Sequence, residues 1–332
     1  MRSTNVKLFN SFFPPPSYLS LCPYSLDLSP DAVRLMYLKV SKHGLIPSEY
    51  KEVKLKEKCN LLETLEDLKK CDELRSVLVS LKEEYGMKFV NVSLPETKTY
   101  VFRTTLPKEA LKTIYESISF KIEENVPLKP DEAVFDYDVL EKENDKKHVD
   151  VVVTTFPKSV VRTYTKLLNE VGLVPLSFES ESQSLARALV KEDDPSSYLI
   201  LNMAETKIGI AIVEQNKVQY TSSLPIVSKD VIEDLKGESA DHLKKQINKL
   251  LIFWFTNKND LGHKDKVDTV IISGKYASAP GLVDFLEKHL AIKIEVANVW
   301  KNCFDINEYV PDLGQKESLD FAIPIGLSLI HH

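Results

Sequence analysis

Three separated segments of this 332-residue chain share one pattern, and that pattern constrains the fold more than any other feature. Tyr24–Leu38, Tyr198–Val213 and Val267–Leu282 each read as an apolar strand, a tight turn, and then a second strand or a helix. In the first, Leu26 and Leu28 alternate, Ser29-Pro30-Asp31 turns the chain, and Val33, Leu35 and Tyr37 resume a period of two. Such repeated units need a partner layer for their apolar faces, so an α/β architecture is expected.

The length fits two domains or one bilobal body. A hydrophobic fraction of 43% and a charged fraction of 28% describe a globular chain. The net charge of −6, with Lys and Arg spread along the sequence, argues against nucleic acid as a partner. The four cysteines, Cys22, Cys59, Cys71 and Cys303, show no metal-ligand spacing and are read as free thiols of a reducing cytosol. Seven scattered histidines, His331 and His332 resembling a tag remnant, indicate no metal site. Apolar runs such as Val149–Phe156 are far short of the ~20 residues that span a bilayer. Pro14-Pro15-Pro16 interrupts any secretory signal. A soluble, cytoplasmic chain without direct membrane insertion is expected.

Residues 1–23 are expected to form an extended aromatic and proline arm packed on the body. A hairpin over 24–40, a strand over 49–57 and a helix over 60–86 follow, the helix marked by Leu61, Leu62, Leu65 and Leu68 and then Leu74, Val77, Leu78 and Leu81. Strands are expected at 89–94, 98–104, 133–140 and 149–155, with a charged turn over 141–148. Helices over 108–125 and 158–171 intervene. The first of these carries Leu111, Ile114, Tyr115, Ile118 and Ile122 on one face; Gly172 ends the second. Beyond them come a strand at 173–178, a helix at 182–191 and a hairpin over 198–222. A long helix at 240–256, a helix at 282–290, a strand at 293–296 and a closing helix from Phe321 complete the pattern.

Several local signatures, taken in order, resemble the PilM family, actin-like cytoplasmic proteins of type IV pilus assembly related to FtsA. They are Leu8-Phe9-Asn10 before the prolines, Phe102–Pro107, Ile122–Pro127, Phe135–Val139, Phe178 through Leu189, Ser278–Leu282 and Phe321–Leu327. The resemblance covers almost the whole chain. It implies a bilobal actin-like (ribonuclease H-like) fold with an inserted small α/β subdomain. The expected division is an arm over 1–23, the first part of lobe 1 over 24–97, the insert over 98–172, a return to lobe 1 over 173–192, and lobe 2 over 193–332. Only Ile226–Ser239 remains where relatives carry a longer fourth subdomain, so that part is trimmed. The resemblance further implies ATP with magnesium between the lobes. It also implies a groove beside the insert for the amino-terminal cytosolic peptide of a PilN-like inner-membrane protein, with pilus motor ATPases as further partners.

The nucleotide positions implied by this resemblance are Asp27, Ser29 and Arg34 in the first turn, Asn202, Ala204 and Thr206 in the second, and Ser273, Gly274 and Lys275 in the third. They are degenerate. Ser25 and Ser29 stand where glycines let backbone N–H groups approach phosphate, and Pro30 removes a donor. Asp27 retains the acid that reaches the metal through water, whereas Asn202 brings no charge to a divalent cation. Tyr276 is expected to fill the cleft. Glu179 is the candidate to position a water; Glu181 is read as a solvated surface acid. Without metal ligation in-line attack has little support, so ATP turnover is not expected. The resulting expectation is a scaffold of type IV pilus (or related type II secretion-like) assembly. Its alternatives are an active ATP-binding switch and an FtsA-like division or filament protein.

Overall fold

The computed structural model describes residues 23–62, 71–140, 147–256 and 266–331. The expected arm over 1–23, apart from Pro23, lies outside the described residues. So do Leu65 and Leu68, most of the turn over 141–148, and His332.

Alternating apolar residues build a first five-stranded sheet. β1 (Tyr24–Leu28), β2 (Ala32–Ser41) and β3 (Gly44–Lys54) form an antiparallel meander. β4 (Phe89–Leu94) joins β1 in parallel. β2 is buried on both faces: Val33 and Leu35 enter the core of this sheet, while Met36 and Leu38 enter the core of the second half. Helix α1 (Asp72–Tyr85) packs Leu74, Leu78 and Leu81 against the first sheet and stops at Gly86, whose φ of 62° is left-handed. The expected helix thus begins later than residue 60. Cys59 and Cys71 are not free thiols but form a disulfide, with Cα atoms 5.8 Å apart. The loop after β3 explains the correction: its Lys56 and Glu57 N–H groups donate to Glu73 in the first turn of α1, and the Cys59 N–H bonds the Pro30 carbonyl of the β1–β2 turn. Cys303 is a buried free cysteine.

A smaller sheet follows, made of β5 (Tyr100–Pro107), β6 (Ala133–Leu140) and β7 (His148–Pro157) in the order β5-β7-β6. Its core packs Val149, Val151 and Val153 against Ile114, Ile118 and Ile122 of α2 (Ile114–Asn125). Residues Lys108–Thr113, expected as the first turns of that helix, form a 3-10 helix instead. At three residues per turn Leu111 leaves the apolar stripe and stays exposed. Tyr115 is exposed too, set beside Phe135 and Tyr137. Helix α3 (Lys158–Glu170) packs Val160, Tyr164, Leu167 and Leu168 into the core of the first sheet, which β8 (Val174–Ser180) completes in the order β3-β2-β1-β4-β8.

Helix α4 (Glu181–Leu189) opens on a Ser180–Gln183 capping box. A second five-stranded sheet then repeats the first. The expected hairpin over 198–222 is a three-stranded meander of β9 (Ser197–Met203), β10 (Ile208–Glu214) and β11 (Lys217–Leu224). Helices α5 (Ser228–Glu233) and α6 (Glu238–Thr256) follow, the latter burying Leu243, Ile247, Leu250 and Trp254. β12 (Thr269–Ser273) adds in parallel to β9, α7 (Leu282–Leu290) covers the sheet, and β13 (Lys293–Val296) closes the order β11-β10-β9-β12-β13. Short helices α8 (Gln315–Ser318) and α9 (Ala322–Ser328) finish the chain.

The two halves are locked by α4 and α9. A Cβ on Gly326 would lie 1.8 Å from the Ser184 carbonyl oxygen, so only glycine permits this crossing. Asn91 donates to the Leu327 carbonyl and Ser328 to Ser25, fixing α9 beneath the first sheet. The first turn of α4 touches all three sheets: Glu181 meets Lys207, Ser182 meets Glu96, and Gln183 meets Thr154. No helix among the described residues is long and apolar enough to cross a membrane.

Candidate functional site

The antiparallel register places three charged side chains in one row. Asp27 on β1 is the partner of Arg34 on β2, and Arg34 is the partner of Glu52 on β3. The Arg34 guanidinium lies 3.4 Å from Asp27, 2.9 Å from Glu52 and 3.8 Å from Asp31. It also donates to the Ser29 hydroxyl at 3.0 Å. Asp27 accepts from Ser29 at 3.0 Å and from Ser93 on β4 at 2.8 Å. Both oxygens of this buried carboxylate are therefore occupied by protein donors. Burial works against the Arg34 charge, but Asp27, Asp320, Glu52 and Asp31 together raise its pKa.

The second turn, between β9 and β10, contributes Asn202, Ala204, Glu205, Thr206 and Lys207 to the same cleft. Lys207 pairs with Glu181 at 2.6 Å. Burial opposes the Lys207 charge, and the Glu181 carboxylate more than restores it. Glu181 is thus a buried acid of the cleft rather than the solvated one read from sequence. The third turn follows β12. Gly274 has φ of 86°, and a Cβ there would lie 2.5 Å from the Asn202 side-chain oxygen and 2.9 Å from the Met203 carbonyl carbon. Its space is taken by the neighbouring turn. Lys275 pairs with Glu205, which also accepts the Tyr276 hydroxyl at 3.2 Å. Burial, the largest single effect, raises the Glu205 pKa, but the Lys275 pairing, the Tyr276 hydroxyl and the Lys54 charge together outweigh it and hold it low.

Asp27, Ser29, Arg34, Asn202, Ala204, Thr206, Gly274 and Lys275 accordingly line one cleft between the two five-stranded sheets. Ser273 is fully buried at the end of β12 behind it, its hydroxyl without a partner. Tyr276 does not line the cleft, and Glu179 lies outside it, paired with Arg187. Sequence reasoning missed Asp31, Glu205, Lys207 and Asp320 as members. Charged turn residues carry no periodic signal, and only the facing of the two sheets brings them together. Asp320 is pushed up to about 6, mainly by burial.

The fit of magnesium nucleotide to these residues is poor. The free space in the cleft is about 40 Å3. That holds a few waters, whereas ligand pockets run to about 300–1,000 Å3. Five carboxylates (Asp27, Asp31, Glu181, Glu205, Asp320) face three cations (Arg34, Lys207, Lys275), and each cation is already paired. Among the described residues no group of three or more His, Cys, Asp or Glu side chains could hold a metal ion.

A second cavity is larger, about 540 Å3. Its floor is one face of β6 and β7, where Asp136 faces Thr154 and Asp138 faces Val152. Gln183, Ala186 and Arg187 of α4 form one wall, and Asn216 of the β10–β11 turn with Lys217 and Val218 at the start of β11 form another. Lys217 reaches Asp138 at 2.6 Å, and Gln183 donates to Thr154 at 3.1 Å.

Two sheets of identical strand order facing one cleft, with a small α/β sheet inserted into the first half, define an actin-like fold. No family model matches the chain, and no curated protein matches it. Among solved structures it is similar to the PilM–PilN type IV pilus biogenesis complex, with a TM-score of 0.70 and 18% identity over 93% of this chain and 98% of that one. It is also similar to the cytoplasmic domain of EpsL, an inner-membrane component of the type II secretion system of Vibrio cholerae, at TM-score 0.46, 9% identity, and 90% and 93% coverage. Spiroplasma citri MreB5 bound to ADP aligns at TM-score 0.41, with 10% identity and the same coverages. At these identities the likeness is one of fold, and in fold the chain is PilM-like.

Proposed function

We propose that this chain is a cytoplasmic scaffold of type IV pilus assembly that holds the amino-terminal cytosolic peptide of a PilN-like inner-membrane protein and works without nucleotide chemistry. One observation carries the reading: the interlobe cleft is filled by its own paired charges, while an open groove of about 540 Å3 lies against the small sheet. The groove suits an extended peptide. Its lining offers Asp136, Thr154, Asn216 and Arg187 for backbone and side-chain hydrogen bonds. In this reading residues 24–97 and 173–192 make lobe 1, 98–172 the peptide-binding insert and 193–332 lobe 2. The cleft residues Asp27, Ser29, Arg34, Asn202, Ala204, Thr206, Gly274 and Lys275, with Ser273 buried behind them, then serve closure rather than phosphate binding. The chain reaches the inner membrane through its partner.

Calorimetry tests this. The full chain is titrated with magnesium ATP and, separately, with a synthetic copy of the amino-terminal cytosolic tail of a PilN-like membrane protein from the same organism. Peptide binding with no ATP heat is the expected result. Micromolar ATP binding would replace the reading with a nucleotide switch, and failure of the peptide to bind would remove the assigned partner.

A further inference from the structure

One buried carboxyl group joins the two lobes. Glu96 opens the 3-10 turn Glu96–Lys98 that follows β4, and its residue exposure is only 4%. One carboxyl oxygen accepts the Ser182 backbone N–H at 2.8 Å, in the first turn of α4. The other accepts the Ser182 hydroxyl at 3.1 Å and the Thr221 hydroxyl on β11; on protonation the Thr221 contact reverses, the carboxyl O–H donating to Thr221, whose own hydrogen turns to the Ile210 carbonyl at 3.4 Å. A residue of the first lobe is thereby bonded at once to the crossing helix and to the outer strand of the second sheet. The cation nearest this cluster, Lys207, spends its hydrogen bond on Glu181.

We propose that Glu96 is a proton-operated latch between the lobes, firmly closed when its carboxyl group is protonated and loosened when it ionises. The surroundings explain the direction. Burial disfavours the charged form, and the Glu181 carboxylate on α4 adds repulsion. The Thr221 and Ser182 hydrogen bonds and the Lys207 charge from the β9–β10 turn only partly offset this, so the group is pushed up from 4.5 to about 7. Further out, Asp27 of β1 bears on Lys207, and burial with the Glu181 and Asp27 charges raises the Tyr164 hydroxyl of α3. When the lobes part, Glu96 meets water and ionises at its ordinary value of 4.5. Between those two pH values the closed form holds a proton that the open form has lost. Closure therefore weakens as pH rises towards about 7 and levels off above it. A single linked proton changes the opening equilibrium by about tenfold per pH unit.

The latch rests on lobe geometry alone, independent of any nucleotide or peptide. The test is hydrogen exchange of the full chain between pH 5 and 8.5, corrected for intrinsic rates, read at residues 180–186 and 217–224. In the wild type, opening should rise about tenfold between pH 5.5 and 7 and then plateau. Glu96→Gln, which cannot ionise, should stay flat at the low opening of the acid form. The proposal is overturned if wild type and variant rise together, or if the wild type is flat. Should the variant not fold, the carboxyl 13C titration of wild-type Glu96 decides. A midpoint near neutrality that moves upward in Thr221→Val supports the latch, and a midpoint in the ordinary glutamate range overturns it.

Discussion

Arg34→Met removes the only cation of the Asp27–Arg34–Glu52 row while keeping most of the side chain's apolar length. The side chains of Arg34 and Asp27 are 8% and 5% exposed, so their pair lies almost wholly out of water. Glu52, at 26%, keeps enough hydration to lose little. The magnitude therefore comes mainly from stranding Asp27, whose remaining donors are Ser29 and Ser93. Removing one partner of a buried pair costs about 3–5 kcal/mol, and two surviving hydrogen bonds place this case near about 3 kcal/mol at pH 7. The sign with pH is fixed. Without the guanidinium, which opposes the effect of burial on Asp31 and Asp320, these two carboxyls hold their protons to higher pH in the folded state than in the unfolded one. The variant should regain stability on acidification and lose it as pH rises towards 7. Urea unfolding followed by circular dichroism at pH 7 and pH 5.5 reads both effects. Adding Asp27→Asn should recover most of the loss. A cost under about 1 kcal/mol at pH 7, or no recovery in the double variant, would refute the view that Arg34 is the cleft's internal cation.

Three further outcomes follow from close contacts and covalent connectivity. Gly274→Ala combines a left-handed φ with the clash against the Met203 backbone and should lower stability by roughly 2 kcal/mol, seen as an earlier urea midpoint. Gly326→Ala has no room against the Ser184 carbonyl and should cost about 3 kcal/mol, with exchange of α4 amides rising alongside. Reducing Cys59–Cys71, which are 12 residues apart, should destabilise the chain by about 3 kcal/mol in the loop-entropy account. Non-reducing peptide mapping should recover the linked pair, and Cys59→Ser should match the reduced wild type.

The groove and the cleft divide the molecule's charge in different ways. In the cleft every cation is engaged by an acid of the chain itself, so an incoming anion must first break an ion pair. In the groove, Asp138–Lys217 lies at the rim, where water screens it and a peptide's own groups can exchange with it, while Glu179–Arg187 sits deeper in the wall.

Local order was legible because it depends on near neighbours. The two-residue period of Leu26 and Leu28 against Val33 and Leu35 made β1 and β2 visible, and the three- and four-residue spacing of Leu243, Ile247, Leu250 and Trp254 did the same for α6. The helix over 282–290 and the strand over 293–296 were readable down to their ends. What the sequence could not hold was which distant groups meet. Spacing alone does not reveal that the loop after β3 turns back to let Cys59 reach Cys71. Glu181 carries no mark of burial until Lys207 arrives from the second sheet. Glu96, in a polar turn after Pro95, looks like any solvated acid until α4 and β11 close over it. Periodicity records which face of an element avoids water. The partners of a charge are set by the docking of sheets far apart in the chain, and there desolvation decides whether an acid is solvated, paired or protonated.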